Sequence, residues 1–328
     1  MKHYLLSGSF AYDTILLHEG HLEAAILPES ISRLNVCFGI DHVENEFGGT
    51  AGNIGYNASL LKQQPLLVGS LGEKDSSEYI EKLDKSGLDS STLTLVEKQY
   101  CAHAWILTDK NNNQITSFSS GAMKYRPTLP SETPEIWHLA PENPLTMAKL
   151  IVEGKKQNKQ IFFDPGQMLP TFLEGITNSV LPLDDILKSI NAIFVNEYEA
   201  ELLSSYFKKP LEQLVQENDL FIIRTLGKDG VDIITKNNIE HVGVAKTTNI
   251  VDPTGCGDAF RAGFLYGYTQ NAPLTYCAQV GATMGSFAIE HSGGQNHTVT
   301  FEEINMRLND SFGVTLLSEH KAKNPLKY

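Results

Sequence analysis

The feature that most restricts the fold of this chain is a rhythm. Short apolar runs ending in small or polar residues recur along it, and most have a segment of helical spacing beside them. "HYLLSGSF" (3–10) is the first run and "PLLVGSLG" (65–72) the second; "IFFDP" (161–165), "AIFVN" (192–196) and "LFIIRTLG" (220–227) come later. Runs of this length suit strands buried on both faces, and helix-like stretches around 144–157, 197–206 and 210–217 supply crossovers for a parallel sheet. "AGNIGYNASLLKQQ" (51–64) sets Ile54, Ala58 and Leu61 on one helical face. The pattern predicts an α/β fold, a doubly wound, mostly parallel sheet with helices on both faces.

Two stretches break the rhythm. Residues 13–47 and 100–120 have weak helical period, and "CAHAWILTDKNNNQITSFSS" (101–120) reads as two strands joined by an Asn-rich turn. They are expected to form a small β lid that projects from a body made of 1–12, 48–99 and 121–328. "VDIITKNNIEHVGV" (231–244) reads as a separate hairpin within that body.

Charge narrows the partners. A net charge of −13 opposes binding to a nucleic acid, whose phosphates need Lys and Arg to neutralise them. A small anion needs only a local group of N–H donors. Cys37, Cys101, Cys256 and Cys277 show no CxxC pairing, so neither a disulfide framework nor a zinc site is expected. His291 and the other histidines show no metal-ligand spacing. No apolar run approaches the length of a signal peptide or a membrane span, so a cytoplasmic protein with no membrane partner is expected.

"DPTGCGDAFRAGF" (252–264) carries the strongest chemical signal. Small residues precede a helix start, where unpaired N–H groups and the macrodipole favour an anion. Asp258 then stands either as an ordinary helix cap or as a base beside a reacting phosphoryl group. The string is not a Walker loop, and a Rossmann fingerprint would need glycine where Phe260 stands. "TLGKDG" (225–230) closes a strand with Gly227 and Gly230 around Lys228, as a plain turn or as a border for nucleotide phosphates. "NEYE" (196–199) places Asn196 and Glu199 three apart, as a capping box or as contacts to a hydrated Mg²⁺. "FGGTAGNIGYNAS" (47–59) opens a helix with Gly48, Gly49 and Asn53, and Asp13 follows the first strand; these suit a diol, or are turn and cap residues.

Taken in order, these motifs resemble the PfkB/ribokinase family of carbohydrate and nucleoside kinases over nearly the whole chain. "DPTGCGDAFRAGF" is similar to that family's second signature and "GGTAGN" to its first, although Gly55 stands where Ser, Thr or Ala is usual. "SFSSGAM" and "HVGVAKTTNIVDPTGCGDAFRAGFL" look most like the bacterial, mycobacterial-type adenosine kinases. The resemblance implies an ATP- and Mg²⁺-dependent phosphotransferase acting on a purine nucleoside, adenosine before other nucleosides or sugars. Asp258 would be its base, with the N–H groups of Gly255, Cys256 and Gly257 as anion hole. Ser9, Asp13, Gly48, Gly49, Asn53 and Gln167 would hold the nucleoside, and Trp105 and Phe118 would stack on its base. Asn196, Thr225, Gly227, Lys228, Gly230 and Gly257 would border ATP, and Asn196 and Glu199 would organise Mg²⁺ through water. Asp252 and Thr254 would bind an activating K⁺, and the lid would pair two copies in a homodimer. A catalytically silent regulator is the rival reading.

Met168 stands where the relatives carry a second Gln, and Cys256 replaces an Ala or Val. At a helix N-terminus, Cys256 is expected to have a lowered thiol pKa and an oxidant sensitivity that ATP relieves. The same dipole is expected to keep Asp258 ionised.

Overall fold

In the computed structural model, which describes residues 3–25, 35–111 and 113–317, eight strands form the central sheet. From edge to edge they run Ile239–Val242, Val231–Ile234, Phe221–Thr225, Ala192–Asn196, Gln160–Phe163, Ile136–Leu139, Leu5–Ser7 and Leu66–Val68. The last six are parallel, and the first two form an antiparallel hairpin at the edge. Strand alternation divides the core. Leu6, Phe162, Ile223 and Ile233 pack with helices Thr50–Leu60 and Cys256–Thr269 on one face. Their sequence neighbours Leu5, Ile161, Ile222 and Ile234 pack with helices Pro144–Lys156, Glu197–Phe207 and Leu211–Asn218 on the other.

The first run is a strand over Leu5–Ser7, ended by its small residues, with Gly8 against Ala140, where a Cβ would come within 2.9 Å of the Ala140 Cβ. The run at 65–72, expected as one strand, is two: Leu66–Val68 in the central sheet, and Ser70–Gly72, which pairs with Thr94–Val96 in a two-stranded sheet. The strand Ile136–Leu139 is missing from the sequence reading; it has only four residues, and Trp137 and His138 obscure its apolar run. That strand decides where a ligand fits. Leu5–Ser7 lies between Ile136–Leu139 and Leu66–Val68, so the chain leaves it first toward one edge and later returns on its other side. Open α/β sheets bind ligands in the crevice beyond the strand C-termini at such a reversal.

The stretches outside the rhythm form a second, four-stranded sheet. Its strands His42–Gly48, Ala11–His18, Ala102–Asp109 and Gln114–Ser119 lie side by side in that order. Residues 26–34 of the expected lid lie outside the described residues. No described helix is long and apolar enough to cross a membrane.

Candidate active site

A cleft of about 210 Å³ opens at the strand reversal, between the body and the four-stranded sheet. Ser9, Asp13, Gly49, Asn53, Phe118, Met123, Pro141, Glu142, Gln167 and Met168 are among its lining residues. The lining mixes polar side chains with Phe118, the two methionines and Pro141. Local geometry explains the paired glycines. A Cβ on Gly48 would lie 2.1 Å from Asp13 Oδ2, and Gly49 caps helix Thr50–Leu60 at φ 83° while pressed on the backbone of Ser9 and Ala11. Ser9 Oγ accepts the Thr50 N–H at 3.0 Å, which joins the first strand to that helix start. Asp13 sits opposite Glu46 across the lid strands; burial and that second carboxylate push its pKa up to about 6.

Gly255, in the left-handed region at φ 76°, caps helix Cys256–Thr269, and Asp258 is its third residue with no side-chain cap bond. The cap and the candidate base are therefore different residues. Asp258 Oδ2 accepts the Asn53 Nδ2–H at 2.8 Å, so two motifs far apart in the chain meet beside the cleft that Asn53 lines. Its pKa is pushed up to about 7, first by burial and then by Asp164 and Asp13, against Arg261 and the Asn53 bond. The expectation of a carboxylate held ionised by the helix start is overturned, because desolvation outweighs the dipole.

Cys256 departs from expectation twice. Burial, with Asp252 and Asp258 nearby, pushes its thiol up to about 12, which leaves it a weak nucleophile. Its N–H donates back to Pro253 O at 3.2 Å, so the three amides of 255–257 do not all point outward as expected.

Asn196 and Thr225 are register partners at the C-terminal ends of adjacent parallel strands. Asn196 caps helix Glu197–Phe207 in a capping box: its Oδ1 accepts the Glu199 N–H at 2.8 Å, and Glu199 Oε2 accepts the Asn196 N–H at 2.9 Å. One oxygen of each is thereby engaged, a donor set that fits outer-shell contact with a hydrated cation better than direct ligation. Glu199 is buried and its pKa raised, by burial and then by Asp164. Gly227 and Gly230 take positive φ around Lys228, whose ammonium is exposed. Asp252 Oδ1 accepts from Thr254 N–H and Oδ2 from Gly293 N–H, each at 2.9 Å. The carboxylate thus ties the turn to segment 292–297. No cluster of three or more metal-ligating side chains occurs among the described residues.

The two aromatic lid residues part company. Ala104 pairs with both Asp13 and Phe118 in the lid sheet, so these three share the face that lines the cleft. Trp105, one residue along, is on the other face and stacks on His103 at 4.2 Å between ring centroids. The alternation of a strand turns it away from the cleft-lining face of the lid.

The whole-chain comparisons agree with this geometry. The model of the pfkB family carbohydrate kinases matches residues 22–300. The chain belongs to the PfkB family. It is accordingly a phosphotransferase that acts on a hydroxyl group. The chain is 31% identical over 283 residues to the nucleoside kinase of Methanocaldococcus jannaschii, covering 85% of this chain and 91% of that one. The solved structure of that archaeal enzyme superposes with a TM-score of 0.83 at 30% identity, over 94% of this chain and 99% of the other. The nucleoside kinase of Burkholderia thailandensis in complex with inosine gives 0.82 at 30% identity, over 96% and 100%. The fold is ribokinase-like.

Within this PfkB chain the sequence reading missed Glu142, Asp164, Arg261 and Gln295 at the site. Glu142 lines the cleft, accepts the Ser7 hydroxyl at 2.7 Å and is pushed up to about 7 by burial. Arg261, one turn beyond Asp258, forms a buried double hydrogen bond with Asp164 and donates to Gly257 O at 2.9 Å. Gln295 donates to Asn53 Oδ1 at 3.0 Å. Arg261 had a visible signal, a charge inside the apolar run "AFRAGF"; Glu142 and Gln295 sit in loops with no pattern to mark them.

Proposed function

We propose that this kinase transfers the γ-phosphoryl group of ATP to the 5′-hydroxyl of a purine nucleoside, with adenosine as the leading acceptor. The observation that carries the reading is the mixed lining of the cleft. Asp13, Asn53 and Glu142 supply acceptors and donors for ribose hydroxyls, and Phe118 offers an aromatic face. The relative in complex with inosine supports a purine, and the similarity to archaeal nucleoside kinases supports a nucleoside over a bare sugar.

In this reading Asp258 takes the proton of the attacking hydroxyl, a contribution of about 10²–10⁴ in rate. A carboxyl of pKa about 7 is matched to that task near neutral pH, half ionised and more basic than an exposed aspartate. N–H donors at the start of helix Cys256–Thr269 face the transferring group, each worth roughly 10²–10³ where well placed. Arg261 holds the Gly257 carbonyl back from that group. Thr225, Gly227, Lys228 and Gly230 would border ATP, and Asn196 and Glu199 would hold the hydration shell of a Mg²⁺ bound with it, which would supply neutralisation of phosphate charge.

An ADP-release assay with ATP, Mg²⁺ and adenosine, inosine, guanosine, ribose or fructose 6-phosphate tests the assignment. A purine nucleoside is expected to give the highest kcat/KM, with a 5′-monophosphate as product. Preference for ribose or fructose 6-phosphate would overturn the nucleoside reading, and no ADP with any acceptor would favour a silent regulator.

A further inference from the structure

Helix Thr50–Leu60 leaves a gap for two side chains that arrive from elsewhere. A Cβ on Gly52 would lie 1.9 Å from Tyr79 Oη and 3.1 Å from Gln295 Nε2. Both side chains are buried, and they form a directed row of hydrogen bonds. Tyr79 Oη donates to Gly48 O at 2.5 Å, so toward Gln295 it can only accept. Gln295 therefore turns its Nε2 to Tyr79 Oη at 3.1 Å, and the same amide group donates to Asn53 Oδ1 at 3.0 Å. An Asn53 amide whose oxygen is held there has its Nδ2 toward Asp258, 2.8 Å away. The fixed acceptor at Gly48, the last residue of lid strand His42–Gly48, thus sets the polarity of the row down to Asp258.

Segment 292–297 is fitted to this purpose on three sides. A Cβ on Gly294 would fall 2.6 Å from the Asn53 amide, and one on Gly255 would fall 2.6 Å from the Gly294 Cα. The segment is therefore wedged between Asn53 and the turn before Asp258. Asn296 Nδ2 also donates to Glu46 Oε2 on the lid strand at 2.6 Å.

We propose that Gln295 is a positioning residue for phosphoryl transfer: it holds the Asn53 amide in the orientation that donates to Asp258, and through Tyr79 it ties that amide to the end of the lid strand at Gly48. The proposal rests on the reading of Asp258 as base. It also gives Gly52 a purpose, since any side chain there would expel Tyr79 and Gln295.

The discriminating variant is Gln295→Glu, of nearly the same size. Ionised, it can only accept, so Asn53 turns its Nδ2 toward residue 295 and sets Oδ1 against Asp258. An acceptor facing a carboxylate favours its protonated form. The other groups facing Asp258 stay in place: Arg261 and Cys256 on its own helix, Asp164 after strand Gln160–Phe163, and Asp13 on the lid strand Ala11–His18. The expected result, with the best nucleoside of the panel and saturating ATP–Mg²⁺, is an acidic limb of kcat/KM moved up by about one pH unit and kcat at pH 7 lowered about fivefold. Gln295→Leu frees the amide without adding charge and is expected to lower kcat with a smaller shift; Tyr79→Phe, which deletes only the hydroxyl, is the variant of choice if substitutions at 295 unfold, and is expected to shift the limb the same way. Unmoved limbs with wild-type kcat, or a change in KM alone, would overturn the role of Gln295. Asp258→Asn in parallel separates the two ideas. If it keeps its turnover, the base assignment fails; if it loses turnover while the other limbs stay put, only the role of Gln295 fails.

Discussion

Replacing Asp258 by Asn tests whether burial governs the carboxyl at the centre of the site. In the folded protein its pKa is about 7, against about 3.9 for an aspartate in an unfolded chain. A carboxyl whose pKa folding raises favours the native state only while protonated. That contribution is fully present below about pH 4 and is lost as pH rises through 7. At pH 8 the difference of about three units amounts to about 4 kcal/mol against the native state, and at pH 5 to about 1.5 kcal/mol, because there the native carboxyl keeps its proton. Asparagine is neutral in both states and can still present its oxygen to Asn53. Asp258→Asn is therefore expected to be more stable than wild type by about these amounts at pH 8 and pH 5, and equal to it near pH 3. Urea denaturation at the three pH values measures the difference, and turnover of the same variant should fall at least about 10²-fold. A gain that does not vary with pH, or a loss at pH 8, would refute burial as the cause of the shift. Near-normal turnover would refute the base.

Arg261→Met leaves Asp164 buried without a cation, since neighbouring His138 is held neutral by burial with its pKa near 3; a loss of about 3–5 kcal/mol in urea denaturation is expected, and Asp164→Asn in the same chain should restore part of it. Phe118→Ala should raise the nucleoside KM roughly tenfold without moving that of ATP, whereas Trp105→Ala should leave both unchanged; steady-state kinetics in each substrate decides, and equal effects would return Trp105 to the site. A thiol reagent at pH 7.5 should label exposed Cys37 and spare Cys256, with Cys256→Ala inactivated no differently from wild type; peptide mapping that finds Cys256 modified and protected by ATP would reverse that expectation.

Much of the fold was legible because strand burial on two faces leaves a strong local mark. The runs at 161–165, 192–196 and 220–227 are strands to within two residues, since each needs apolar residues on both sides. The strand Ile136–Leu139 left no such mark, because four residues including Trp and His are too few to show a pattern. At the site, Asp258 and Asn53 were marked by Gly255 and Gly49, whose positive φ local backbone geometry demands, whereas Asp13 was marked only by its place after the first strand.

The sequence by itself therefore determined the layers of the fold and the motifs where an anion and a diol would sit, because helix starts, tight turns and buried strands are made by neighbours in the chain. Only the tertiary structure decided which side chains meet and in what electrostatic surroundings. The distance from Asn53 to Asp258 spans 205 residues of chain, and from Asn53 to Gln295 it spans 242. The lid register turned Phe118 into the cleft and Trp105 away from it. Desolvation at the meeting point opposed the charge states that helix dipoles alone would favour, for Asp258 and Cys256 alike. A pKa depends on everything packed around a group, and that packing exists only after the distant parts of the chain have come together.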